Sequence, residues 1–153
     1  MKNTFLIDEP KILLTDNFRQ CKETLTASRV KYRQITEDYI VFPAKLFGAD
    51  TDLMVGLHGG SSKWLEFIEI FRPKEYYEVP GNDAWKSFGE LSGILRRKYG
   101  PPASSGTSGM SHFDTEQWPF EKWETEEYTI DHYLMDRFGV GEYLKIHFKV
   151  RYL

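Results

Sequence analysis

The sequence predicts an α+β fold: an antiparallel sheet of about five to seven strands with two helices packed on it. Three observations carry that reading. The C-terminal block alternates apolar and polar residues with a period of two: Tyr128, Ile130, His132 and Leu134, then Leu144, Ile146 and Phe148. Residues 83–99 instead place Ala84, Phe88, Leu91 and Leu95 at helical spacing. The chain has 153 residues, the size of one ordinary domain, with 41% hydrophobic and 28% charged residues. That composition suits a soluble folded chain and gives one α+β domain over residues 1–153.

The elements follow in order. Residues 5–14 hold two apolar runs, FLI and ILL, split by DEP, which reads as a short strand or an arm. A short helix is expected over residues 16–26. Asn17 with Gln20 three residues later fits its N-cap, and Phe18, Cys21 and Leu25 line one face. Residues 30–48 give one or two strands, with Pro43 at an edge or bulge because proline cannot donate to a ladder. Residues 51–73 read as a hairpin turned by GGSS. Its return strand puts Leu65, Phe67, Glu69 and Phe71 on one face and Trp64, Ile68 and Ile70 on the other, the pattern of a central strand covered on both sides.

The long helix, 83–99, is capped by Asn82 or Asp83. It carries Arg96, Arg97 and Lys98 in its last turn, against the macrodipole, and stops at GPP. Gly89 and Gly93 lie on one side of it, either for close packing on the sheet or for a partner. Residues 100–112, rich in Pro, Ser and Gly, read as a flexible loop within the domain. A hairpin closes the chain, turning at DRFGVGE. Opposing residue 134 to residue 144 sets Glu127 against Arg151, Thr129 against Lys149 and Asp131 against His147, an acidic strand facing a basic one. The last strand, if it lies at an edge, is open to pairing between chains. The succession of hairpin, helix ending in KYGPP, loop, tryptophan and closing hairpin resembles small bacterial α+β proteins, and assigns no residue a role.

Several functions are disfavoured. The net charge of −3 lacks the basic excess of nucleic-acid and membrane-surface binders. One cysteine, Cys21, makes neither an intrachain disulfide nor a thiolate zinc site, and its apolar neighbours suggest a buried thiol. Asp8, Glu9 and Pro10 interrupt any leader-like apolar run, which points to a cytoplasmic protein. His58, His112, His132 and His147 lie in separate segments without metal-ligand spacing, and no nucleophile elbow or phosphate loop is present. No cofactor or metal is implied.

Two readings of function remain. The first is a non-enzymatic interaction module, immunity-like or regulatory. It would use the acidic aromatic segment 113–128, with Trp118, Phe120 and Trp123 as anchors and the intervening glutamates favouring a basic protein partner. The plainer view of those rings is a lid over the sheet edge. The second is a small-ligand-binding protein or hydrolytic enzyme. His132 faces inward among aliphatic residues and needs a partner, and Glu69 is the carboxylate assigned to a core face, so the two would form a pocket if their strands are near.

Overall fold

A computed structural model describes residues 3–60, 63–108 and 118–149. The chain begins with a two-stranded sheet, β1 (Thr4–Ile7) and β2 (Ile12–Thr15), followed by helix α1 (Phe18–Ala27). Strands β3 (Arg33–Thr36), β4 (Tyr39–Ala44), β5 (Leu53–Gly59) and β6 (Leu65–Phe71) come next, then the short α2 (Lys74–Glu78) and the long α3 (Ala84–Tyr99). The chain closes with β7 (Ser104–Ser108), β8 (Trp118–Glu124), β9 (Tyr128–Asp136) and β10 (Val140–Phe148). Strands β3 to β10 form one antiparallel sheet of eight strands in the order β3-β4-β5-β6-β10-β9-β8-β7. The α+β architecture is as expected; the strands outnumber the expectation.

The caps act as their sequences imply. The Asn17 side chain accepts from the Gln20 backbone N–H at 2.9 Å, and Asp83 from that of Lys86 at 2.8 Å. Each satisfies an N–H that has no partner within its own helix. Gly100 ends α3 at φ +82°, where a Cβ would be strained.

One face of the sheet carries the hydrophobic core. Phe5, Ile7, Ile12 and Leu14 of the small sheet, Cys21 and Leu25 of α1, and Leu91, Ile94 and Leu95 of α3 pack over Ile40, Phe42, Val55, Leu57, Ile68, Ile70, Leu144 and Ile146. Cys21 is buried; its thiol donates to the Thr15 carbonyl, and burial pushes its pKa up to about 11.

Five expectations change. The last strand is central, between β6 and β9, and the edges are β3 and β7. The β9–β10 register is displaced by two residues, pairing Leu144 with His132, Lys145 with Asp131 and His147 with Thr129. The strands run on to Asp136 and Val140, and the turn contracts to residues 137–139, with Phe138 and Gly139 at positive φ. Ser104–Ser108, within the stretch read as a loop, pairs with β8 as an edge strand, which needs only one ladder of hydrogen bonds. Gly89 and Gly93 do not admit close packing on the sheet, because a Cβ at Gly89 meets open space and one at Gly93 meets only the tip of Arg97. Pro43 lies within β4, beyond the last residue that β3 pairs with, so its missing N–H costs no ladder bond on that side.

Candidate functional site

Two features concentrate chemistry, one on each face of the sheet. The first is built on His132. Alternation along β9 turns Ile130, His132 and Leu134 inward, and the imidazole is 0% exposed. Strand β8 sets Glu121 directly opposite it, and β10 supplies Glu142 one inward position from Leu144. His132 Nδ1 lies 3.4 Å from Glu121 Oε2, and Nε2 lies 2.6 Å from Glu142 Oε2. Phe88 of α3 stacks on the ring at 4.1 Å. Burial by itself favours the neutral imidazole, but the hydrogen bonds to Glu121 and Glu142 outweigh it and raise the His132 pKa. Protonated, the ring donates one N–H to each carboxylate.

The network continues in both directions. Glu121 also accepts from Arg96 Nη2 at 2.5 Å and from Ser92 at 2.8 Å. Burial raises the Glu121 pKa, yet the bonds from His132, Arg96 and Ser92 prevail and hold its carboxyl down at about 2. On the other side Ser87 donates to Glu142 and accepts from Arg72 Nε at 2.8 Å. The Arg72 guanidinium stacks 4.2 Å above the Tyr76 ring, with Nη2 3.8 Å from Glu90. One polar chain, Arg96–Glu121–His132–Glu142–Ser87–Arg72, thus ties α3 to β8, β9, β10 and the end of β6. Its order fixes what it can do. Glu142 stands between Ser87 and His132, so the imidazole is not placed to take the serine proton, and both ring nitrogens already face carboxylates. Such a geometry locks a helix onto a sheet.

Glu69 belongs to the other face. Lys145 pairs with both Glu69 and Asp131, so Glu69 shares a face with Asp131 and lies opposite to His132. The pocket expected around Glu69 and His132 is not formed. Glu69 bonds instead to His58 Nε2 at 2.9 Å. The misassignment traces to Leu65, which is buried next to a register shift between His58 and Gly59 while Phe67, Glu69 and Phe71 point outward. The outer side chains of β6 are half-buried, so this central strand is covered on one face only.

The segment 113–128 is also repositioned. Residues 113–117 lie outside the described residues. Trp118 and Trp123 are 4% and 2% exposed. Trp118 packs with Ala84, Leu134 and Phe88, and the Trp123 indole donates to the Gly100 carbonyl at 2.9 Å, fastening β8 to the end of α3. Phe120 is half-buried and covers Gly106 of the edge strand. These indoles are structural, and Glu121 is engaged inside the fold.

The second feature is the outer face itself. Cross-strand pairing sorts its side chains into rows running across the strands. One row stacks Tyr39 on His58 at 4.2 Å, His58 on Phe67 at 4.2 Å, and brings Phe67 within 5.8 Å of His147. Gly56 leaves room for it, since a Cβ there would lie 2.9 Å from the Tyr39 ring. The next row alternates charge: Glu69, Lys145, Asp131 and Lys122 are successive register partners. Beyond it, Pro43, Met54 and Phe71 pair in turn on one side, and Tyr143, Tyr133 and Phe120 on the other. Tyr143 stacks on Tyr133 at 5.3 Å, and the Lys145 ammonium lies 4.9 Å from the centre of the Phe67 ring. Among the described residues no helix or strand layers over this face.

The sequence pointed to His132 but missed its partners. Glu142 shares the parity of Leu144 and Ile146, which was a readable signal; Glu121, Ser87 and Arg72 become visible only once the strand order and helix position are known. Among the described residues no cluster of His, Cys, Asp or Glu is arranged to hold a metal ion, and no helix is long and apolar enough to cross a membrane. Compared with protein-family models, curated proteins and solved structures, the chain matched none.

Proposed function

We propose that this chain is a non-enzymatic interaction module, immunity-like or regulatory in character, that engages a protein partner through the open face of its large sheet. The observation that supports the reading is the row structure of that face. Solvated faces of antiparallel sheets are ordinarily polar. Here two rows rich in aromatic and apolar side chains flank a row of alternating charge, with Phe67, Tyr143 and Tyr133 half-buried. Rigid rings interleaved with charges are the composition of protein recognition surfaces. The anchors therefore shift from Trp118 and Trp123, which are buried, to the rings of the outer face. Glu124, Glu126 and Glu127 remain on the β8–β9 side for a partner with basic character.

Capture from the cells of origin tests this. Wild-type protein and the Phe67→Ala/Tyr143→Ala variant are compared as baits, with circular dichroism establishing that both are folded. A partner retained by the wild type and lost by the variant supports the reading. Identical partners on both baits, or a partner lost only from a bait altered on the exposed side of α3, overturn it.

A further inference from the structure

We infer that the β3 end of the open face forms a groove for an acidic peptide segment of the partner, one that carries apolar side chains between its carboxylates. The inference rests on the proposed role of this face and names the chemistry of what it takes. The groove encloses about 580 Å³. Its floor is apolar, made by Val41, Met54 and Phe71 from three adjacent strands, with Met54 and Phe71 paired directly. Its rim is cationic: Lys31 before β3, Arg33 on β3, and Lys74 at the start of α2. All three are exposed, and among the described residues none has a carboxylate within ion-pair distance. Among the described residues one acid, Glu75, shares the rim.

This basicity is local, in a chain whose net charge is −3. It also differs from the rest of the face, where Lys145 and Lys122 stand opposite Asp131. Three uncompensated cations spread around an apolar floor suit an extended ligand with distributed acids better than one compact anion, for which the donors would converge. Strand β3 adds a second element. Among the described residues it pairs only with β4, and residues 33–36 are exposed throughout, so its outer edge offers backbone groups to an extended segment.

The test uses a labelled synthetic peptide of alternating glutamate and leucine, its lysine–leucine counterpart, and fluorescence anisotropy with the full chain. The glutamate peptide is expected to bind saturably, the lysine peptide not to bind, and binding to weaken as salt rises from ~0.05 M to ~0.5 M. A Lys31→Glu/Arg33→Glu/Lys74→Glu variant, with unchanged circular dichroism and melting midpoint, is expected to bind at least about tenfold more weakly. Equal binding of the two peptides, undiminished binding by the triple variant, or tighter binding of single-stranded polyuridine than of the glutamate peptide overturns the groove. If the peptide fails while the captured partner still depends on Phe67 and Tyr143, the groove is refuted and the open face stands. If the peptide binds as expected but the captured partners ignore Phe67 and Tyr143, the groove stands and the aromatic rows do not act in recognition.

Discussion

Replacing His132 by leucine removes the imidazole that bridges two buried carboxylates. In the wild type Glu121 and Glu142 each contact one ring nitrogen, and their side chains are only 7% and 5% exposed. In His132→Leu, Glu121 keeps Arg96 and Ser92, whereas among the described residues Glu142 keeps only the Ser87 hydroxyl. Removing one partner from a buried ion pair typically costs about 3–5 kcal/mol, because the remaining charge is left uncompensated. The loss here is expected in that range at pH 7, read by urea unfolding. The double variant His132→Leu/Glu142→Leu should recover most of the loss, leaving about 1 kcal/mol for the Ser87 hydroxyl that no longer donates to Glu142. A His132→Leu protein within about 1 kcal/mol of wild type at pH 7 would show that the network does not hold the helix to the sheet.

The remaining expectations are these. Since the Glu121 pKa is lowered from 4.5 to about 2, its contribution is present above pH 4.5 and lost as pH falls toward 2; it amounts to about 3 kcal/mol and should be abolished in Glu121→Gln, measured as the acid limb of the unfolding free energy. The His132 pKa is raised, so its contribution is present below pH 6.5 and is lost as pH rises through the folded-state value; a Lys-free readout such as tryptophan fluorescence should find wild type, but not the His132→Leu/Glu142→Leu variant, less stable at alkaline pH. Gly89→Ala should stabilise the protein by up to about 1 kcal/mol, because a Cβ there meets nothing and the helix gains propensity; a fall in melting midpoint would contradict this. Trp123→Phe should cost about 1 kcal/mol or more by removing the hydrogen bond to Gly100 and part of the core, with local amide exchange accelerating at the end of α3.

Local rules were legible in the sequence, and sheet order was not. Asn17 and Asp83 cap the helices because capping depends on residues three apart, and the alternation along β9 and β10 identifies inward residues without reference to any other strand. His132 was therefore placed correctly on the core face. Its partners come from β8 and β10, and only the order β10-β9-β8 brings Glu121 and Glu142 to its two nitrogens. Register was misjudged by two residues because apolar alternation fixes the face of a strand but not its displacement along a neighbour by an even number. Leu65 misled the assignment of Glu69, since it is buried beside a register shift and does not report the face of the strand that follows. Trp118 and Trp123 looked like recognition anchors because an indole suits a partner surface and a core equally well, and burial decided between them.

The role of the open face is tested most directly by an amide NMR titration of the wild-type chain with the partner it captures. Shifts should concentrate on Phe67, Lys145, Tyr143 and Tyr133 and their outward-facing neighbours, with the amides around His132 and along α3 unperturbed beyond transmitted effects. Shifts confined to the exposed side of α3 or to the small sheet of β1 and β2, with the outer rows silent, would contradict it.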